Sequence, residues 1–245
     1  MKKISILTCV IGEPENLINT MNSLKHILSD NLTWTIKFHD NSSENFINIF
    51  RNQFIFTHKI ADQGLYDAMN QALNLMDSDY YFVIGSGDEL NPEPVLQMME
   101  LLKNDDYESS IYFFPVEYLN SGLVLEPEPE KFSVKMASPH PGTILSRLRS
   151  MELGGYDTRY KIASDYDHLS RYVLKFGAGK IGKEILVKIL AGGISEKNNL
   201  EAYLEEELIR KRVWNSVDWL TYQRMLNKSA ENISYFITQI LKNKD

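Results

Sequence analysis

Tyr80-Tyr81-Phe82-Val83-Ile84-Gly85-Ser86-Gly87-Asp88-Glu89 decides the reading of the fold. Its first five residues are apolar or aromatic without alternation, the pattern of a strand buried on both faces. The strand then breaks into small residues followed by a carboxylate. Open α/β sheets bind ligands at the carboxyl ends of their strands, and glycine there lets a polyanion approach the backbone. Asp88 has two readings at this junction. Beside a phosphate it would hold a divalent cation, because Mg2+ takes one or two protein carboxylates together with phosphate oxygens. Alone, it would cap a helix starting near Pro92.

Outward from this junction the chain alternates strands and helices. Ile4–Val10, Thr33–His39 and Phe54–Lys59 read as strands. Pro14–Leu28, Leu65–Met76 and Pro92–Lys103 read as helices, with apolar residues at helical spacing such as Leu17, Met21, Leu24 and Leu28. This alternation predicts an α/β fold with a mostly parallel central sheet covered by helices on both faces. Further along, Ser110–Tyr118 and Leu123–Glu126 read as a β pair around Asn120-Ser121-Gly122. Glu126-Pro127-Glu128-Pro129-Glu130 reads as a solvated acidic loop and part of a mobile lid. Pro139–Ser146 reads as a turn leading into a strand, Ala163–Lys175 as a helix and Lys183–Leu190 as a strand. From about Glu196 the chain is helix-rich. The expected organisation is a domain over 1–195, with a nucleotide-binding half (1–105) and an acceptor half (106–195), then a C-terminal helical extension over 196–245.

Composition narrows the function classes. The 245 residues carry a net charge of −7 with no basic stripe, so no nucleic-acid partner is expected. A single cysteine, Cys9, rules out an internal disulfide framework and a cysteine metal cluster. The opening Met-Lys-Lys-Ile-Ser turns polar too soon for a signal peptide, and no apolar run approaches the roughly 18 residues of a membrane span. A cytoplasmic protein is expected, with peripheral contact at the inner face of a membrane left open. A P-loop is excluded by the lack of a Gly-x-x-x-x-Gly-Lys pattern.

Four loops follow candidate strands: the one from Thr8 onward, Asp40-Asn41-Ser42, Asp62-Gln63-Gly64 and Ser86-Gly87-Asp88. A parallel sheet brings all four to one edge. Three carry a carboxylate, and convergent carboxylates repel unless a cation or a donor-rich ligand sits among them. A nucleotide with its metal meets that need.

These residues resemble the family 2 glycosyltransferases of GT-A fold, closest to bacterial enzymes of exopolysaccharide, colanic acid and O-antigen assembly. Asp62-Gln63-Gly64-Leu65-Tyr66-Asp67-Ala68-Met69-Asn70 is similar to the Asp-x-Gly-Ile-Tyr-Asp-Ala-Met-Asn stretch of the colanic-acid type. His39-Asp40-Asn41-Ser42-Ser43 resembles the Asp-Asp-Gly-Ser element, and Gly85-Ser86-Gly87-Asp88 resembles an Asn-Ser-Gly-Asp version of the metal-binding Asp-x-Asp motif. Gly154-Gly155-Tyr156-Asp157 with Ser164-Asp165-Tyr166-Asp167 and Arg171 resembles the acceptor-side Glu-Asp element. Ile4–Thr8 and Gly192–Ser195 also match family signatures. Two departures stand out. Gly85 occupies the place of a first acidic residue, and Ser164 that of the usual glutamate.

The resemblance implies an inverting transfer from a nucleotide-diphospho-sugar, UDP ahead of GDP or dTDP, to a glycan or lipid-linked acceptor. It implies Asp165 as catalytic base and Asp88 as ligand of Mg2+ or Mn2+. Donor contacts are implied at Thr8, Asp40, Asp62, Gly64, Tyr66, Asp67, Asn70, Ser86 and Gly87, and acceptor contacts at His140 and Asp167. The plainer readings stay beside these: first-turn helix acids for Asp165 and Asp167, core packing for Tyr66, and a turn residue for His140. Two other functions remain in view. One is a noncatalytic partner that keeps the fold, suggested by Gly85 and Ser164. The other is a sugar-1-phosphate nucleotidyltransferase, which Cys9–Pro14 does not suit because it lacks a basic glycine-rich loop. The C-terminal helices are candidates for a homodimer contact.

Overall fold

Ile4–Val10 forms the first strand, and its side chains divide between two cores: Ile4, Ile6 and Val10 enter one, Leu7 the other. The computed structural model describes residues 2–102, 111–192 and 199–214. In chain order the elements are β1 (Ile4–Val10), α1 (Leu17–Leu24), β2 (Leu32–Phe38), α2 (Glu44–Asn48), β3 (Ile55–Lys59), α3 (Leu65–Leu75), β4 (Tyr80–Val83), β5 (Glu89–Leu90) and α4 (Pro92–Leu102). Then come β6 (Ile111–Phe113), β7 (Val116–Tyr118), β8 (Val124–Leu125), β9 (Thr143–Ser146), α5 (Arg147–Glu152), α6 (Ser164–Phe176), β10 (Lys180–Ile181), β11 (Val187–Ile189) and α7 (Asn199–Ile209).

The main sheet has seven strands in the order β10-β6-β9-β4-β1-β2-β3. β1 to β4 run parallel, so their carboxyl ends share one edge. β9 runs antiparallel between β4 and β6, which makes the sheet mixed. A smaller four-stranded sheet, β5-β11-β7-β8, stands beside it. On one face Tyr80, Phe82 and the β1 set pack with Leu17 and Leu24 of α1 and Val95 and Met98 of α4. On the other, Tyr81 and Val83 pack with Met69 and Leu73 of α3 and Leu169 and Tyr172 of α6. Burial on both faces is why Tyr80–Val83 shows no alternation.

The structure shortens or divides several expected elements. The helix expected over Pro14–Leu28 covers only Leu17–Leu24, because the chain turns at Ser29–Leu32, where the two residues bridge. Ser110–Tyr118 is not one strand. At Pro115, which has no N–H to donate, the chain leaves the large sheet and β7 joins the small one. Lys183–Leu190 contributes only Val187–Ile189, with a separate short strand at Lys180–Ile181. Ser43 caps the short α2 by accepting from Phe46 N–H at 3.2 Å. The Glu126–Glu130 loop is anchored rather than simply solvated: Pro127 and Pro129 are buried, and Glu128 N–H donates to the Ala137 carbonyl at 2.7 Å. The C-terminal helices are described only as α7 and a wider helical turn over Arg210–Trp214. The remainder of the expected extension, and with it most of any dimer surface there, lies outside the described residues. Among the described residues no helix is long and apolar enough to cross a membrane.

One polar pair anchors the edge where the loops after the parallel strands meet. Lys37 stands between Ile36 and Phe38 in β2, fully buried. Its ammonium pairs with Asp62, whose side chain is 8% exposed, and also donates to the Ile60 carbonyl. Asp62 Oδ1 in turn accepts from Gly64 N–H at 3.1 Å. Gly64 takes φ +126°, a region L side chains rarely adopt, and α3 starts immediately after it. The buried cation therefore sets the turn from which α3 departs. Lys37→Met should cost about 3–5 kcal/mol, because it leaves a buried carboxylate unpaired. Adding Asp62→Asn should recover most of the loss. Urea unfolding at unchanged m-value measures both, and a Lys37→Met protein as stable as wild type would show that the pair does not anchor this edge.

Candidate active site

The carboxyl-end edge of the sheet opens into a cleft of about 860 Å3, lined by residues of both halves of the chain. Gly85, Ser86 and Asp88 come from the loop after β4, His140 from the turn before β9, and Asp165 from the first turn of α6. Glu128 from the acidic loop, Lys135 from the segment after it and Leu190 from the segment after β11 complete the parts that matter here.

Asp88 does not cap α4. It is buried, with Oδ2 accepting from Gly85 N–H at 2.6 Å and Oδ1 from Leu190 N–H at 2.9 Å. Burial raises its pKa, while those two amide bonds act in the opposite direction. A Cβ at position 85 would lie 3.1 Å from Asp88 Oδ2, so glycine gives this carboxylate room to fold back. Gly87 has φ +95°, and a Cβ there would strike Asn16 Nδ2 at 2.7 Å. Asn16 Nδ2 also donates to the Ser86 carbonyl at 3.0 Å. As a metal site this is sparse: among the described residues no group of three His, Cys, Asp or Glu could hold an ion. A carboxylate has about four lone-pair positions, and the two amides use two. The residues thus fit a cation held by one carboxylate and completed by donor phosphates and water, a common Mg2+ arrangement.

Asp165 reaches the cleft wall from the second residue of α6. Loss of solvation pushes its carboxyl up to about 6; the Tyr166 amide and the Tyr66 hydroxyl act against that rise. Oδ1 accepts from Tyr166 N–H at 2.9 Å and lies 3.3 Å from the Tyr66 hydroxyl. Tyr66 is buried, donates to the Ile162 carbonyl and stacks on Tyr156 at 5.9 Å. It supports Asp165 from below and is not part of the cleft lining.

The irregular segment between α5 and α6 is held by side chains. Asn70 Nδ2 donates to the Tyr156 carbonyl, and Tyr156 N–H donates to Asn70 Oδ1, both at 2.8 Å. Gly155, at φ +70°, lies so close that a Cβ would be 2.3 Å from Asn70 Oδ1. Arg171 donates to the carbonyls of Leu153 and Gly155. A buried chain of hydrogen bonds runs from here to the cleft, and its direction follows from one acceptor. The Gly155 carbonyl can only accept, so His168 Nδ1 carries a proton (3.0 Å). Burial lowers the His168 pKa to about 3, so the ring is neutral and Nε2 accepts from Ser150 Oγ at 3.1 Å. Ser150 accepts from the Tyr81 hydroxyl at 3.1 Å, Tyr81 from Tyr156 at 3.0 Å, and Tyr156 from His140 Nε2–H at 2.9 Å. Burial lowers the His140 pKa to about 4, so the ring is neutral and its Nδ1 carries no proton.

Four expected site residues line the cleft: Ser86, Asp88, His140 and Asp165. Others take different places. Thr8 lies fully buried within β1, where its hydroxyl accepts from the Trp34 indole N–H at 3.0 Å, so it has no surface to offer a donor. Asp62 is neutralised by Lys37, and Asn70 spends its amide on Tyr156. Asp67 accepts from Gln63 N–H at 2.9 Å and from Gln71 at 3.1 Å, closing the start of α3. Gly87 is buried as a packing glycine. Asp167 is fully buried between Arg171 and Arg212 and cannot meet an acceptor. Asp40 and Gly64 remain exposed on the same sheet edge, outside the cleft lining. Lys37, Asn16 and Glu205 are the residues that sequence reasoning missed. A lysine inside an apolar strand was the visible signal for the first; no local pattern marks the other two.

The histidine chain gives a direct test. At pH 7, nitrogen chemical shifts should show His140 protonated on Nε2 only and His168 on Nδ1 only. The unfolded rings bind protons near pH 6.5 whereas the folded ones resist, so their contribution to stability is present above 6.5 and lost as pH falls toward 4. Asp165, Asp88 and Glu206, raised instead, oppose this, but two histidines depressed to about 4 and about 3 outweigh them. The thermal midpoint should therefore fall between pH 6.5 and 4. Titration of either ring near 6.5 in the folded protein would contradict the chain of bonds.

Comparison with known proteins agrees with this architecture. The family model described as glycosyl transferase family 2 matches residues 5–151, more than half of the chain. An uncharacterized glycosyltransferase of Mycobacterium tuberculosis strain H37Rv, and its counterpart in strain CDC 1551, are 29% identical over 128 residues. The match takes in 49% of this chain and 48% of theirs, so the chain spans about half the length of the curated relatives it matches. Among solved structures, S. aureus TarS 1-349 in complex with UDP-GlcNAc superposes with a TM-score of 0.66 at 13% identity, covering 94% of this chain and 72% of that one. The mannosyltransferase PcManGT of Pyrobaculum calidifontis, in complex with GDP-Man and Mn2+, gives a TM-score of 0.56 at 11% identity, with 77% and 56% covered. The matched stretch contains the parallel strands, the Gly85–Asp88 junction and His140, while Asp165 and α7 lie beyond it. With its two-faced α/β sheet of GT-A type and this match, the chain belongs to glycosyltransferase family 2.

Proposed function

We propose that this protein is an inverting glycosyltransferase that moves a sugar from a nucleotide-diphospho-sugar to a hydroxyl of a glycan acceptor. The observation that carries the reading is Asp165: a carboxyl raised to about 6, set in the wall of the cleft that the Gly85–Asp88 loop also lines. A general base works best with a pKa near the operating pH, and burial supplies that shift here. The acceptor oxygen attacks the anomeric carbon as its proton passes to Asp165. The bond from that carbon to the phosphate oxygen breaks, and its electron pair leaves with the nucleoside diphosphate. Displacement from the opposite side inverts the anomeric centre.

The surroundings support this role. His140 Nδ1 offers a fixed acceptor for a sugar hydroxyl. Asp40 and Gly64 are exposed beyond the carboxyl ends of β2 and β3, which supports a role in binding ribose and base. A Mg2+ or Mn2+ ion held by Asp88 would supply Lewis-acid neutralisation of the leaving diphosphate. UDP-sugars are the first donors to try, ahead of GDP- and dTDP-sugars; the TarS structures in complex with UDP and UDP-GlcNAc share the fold. The Asp62–Asn70 stretch supports an acceptor in surface polysaccharide assembly, of exopolysaccharide, colanic acid or O-antigen type and in lipid-linked form.

A panel of nucleotide sugars with Mn2+, followed by release of nucleoside diphosphate, tests the reading. Asp165→Asn should lower kcat by about 10²–10⁴-fold while donor affinity changes little. In the wild type the rate should rise with pH through about 6 and level above it, because the base works only when ionised. Unchanged turnover by Asp165→Asn would remove Asp165 from the chemistry. Binding of donors by the wild type without turnover of any would favour a noncatalytic partner of the same fold.

A further inference from the structure

We propose that Glu205 on α7 is a positioning residue for the base, so that the helix following the family-matched part of the chain is a working part of the active site. This rests on the reading of Asp165 given above. Glu205 Oε1 accepts from Lys161 N–H at 2.7 Å, and Oε2 accepts from Ile162 and Ala163 N–H, each at 2.9 Å. Three consecutive peptides are thus held by one carboxylate, and the chain runs from them directly into Ser164 and Asp165. Ala163 is the residue before α6, and its own side chain provides no cap. A negative group gathered by these amides also suits the positive end of the helix dipole.

The same segment grips the far side of the first turn. Arg212 bridges Asp157, at 2.8 Å, and the buried Asp167, two residues after the base. Ile209, Val213 and Trp214 pack in the core shared by Tyr66, Tyr156 and Tyr166. Asp165 is therefore held from both sides by a segment whose described residues are not part of the cleft lining. The charged and titratable groups around it are Tyr66 from α3, Glu205 and Glu206 from α7, and Arg210, which pairs with Glu206 at 3.5 Å. Release of the 161–163 peptides would tilt the first turn of α6 and let water reach the carboxyl.

Glu205→Gln keeps the shape but loses the charge and one accepting oxygen; Glu205→Asp keeps the charge on a shorter stem. The glutamine variant should lose up to about 100-fold in kcat at an unchanged KM for the donor, the scale of a misplaced catalytic group. The acid limb of its pH–rate profile should move below about 6 as Asp165 regains solvent, and Glu205→Asp should recover part of the rate. Donor titration counts folded sites in each variant. A Glu205→Gln protein with wild-type kcat and an unmoved limb overturns the proposal, as does a loss of rate that only tracks the loss of donor-binding sites. Asp165→Asn measured alongside separates the two readings. If it is impaired while Glu205→Gln is not, only the positioning role fails; if it is fully active, the base assignment itself is wrong.

Discussion

The architecture around the site depends on one constraint: the irregular segment from Leu153 to Ala163 is partly buried, and its peptide groups must be paired without help from a helix or sheet. A buried peptide group left unpaired costs about as much as a lost hydrogen bond. The protein meets this with side chains from three helices. Asn70 of α3 takes both polar groups of Tyr156. Arg171 and His168 of α6 take the carbonyls of Leu153 and Gly155. Glu205 of α7 takes the amides of residues 161–163. Arg171 is itself paired with the buried Asp167 and His168 is fully buried, so the segment has little freedom, and Asp165 at its end inherits that rigidity. A preorganised base avoids reorganisation when the reaction occurs.

The opposite side of the cleft uses the same logic with a different charge. Asp62 is neutralised by a buried lysine, and Asp88 is steadied by two backbone amides. Of the carboxylates that the parallel strands bring to this edge, Asp62 is thus spent on structure, and Asp88 keeps free lone pairs toward the cleft. The buried lysine thus relieves part of the repulsion expected among converging acids, and Asp88 is the carboxylate of these strand-end loops that lines the cleft. A glycine at position 85 is consistent with that economy, since a larger side chain would crowd Asp88 Oδ2.

Much of this was legible in the sequence, and the reasons for the gaps are physical. Continuous apolar runs such as Tyr80–Val83 announce strands buried on both faces, so β1 to β4 and their shared edge were readable to within a residue or two. That Asp88 and Asp165 lie at the ligand-side cleft was readable, because each follows a clear break and carries a family motif. Partnership was not readable. Asp62, Asn70 and Asp167 look like ligand-facing polar residues, yet Lys37, Tyr156 and two arginines claim them, from positions 25, 86 and up to 45 residues away. Thr8 lies within the strand that the sequence places over Ile4–Val10, so its side chain falls inside the sheet and not in the loop after it. Glu205 lies in a run of three glutamates whose sequence reads as a solvated or protein-facing helix, with nothing to mark which of the three is used. Only the fold brings one of them onto the backbone before α6.

The central claim is that folding converts Asp165 from an ordinary carboxylate into a base poised near neutral pH. Carbon NMR of protein labelled at aspartate carboxyls, with the resonance assigned by its loss in an Asp165 variant, measures that property without substrate or metal. The account predicts titration near 6, the value that burial at the cleft wall produces. Titration near 4, in the usual aspartate range, would contradict it.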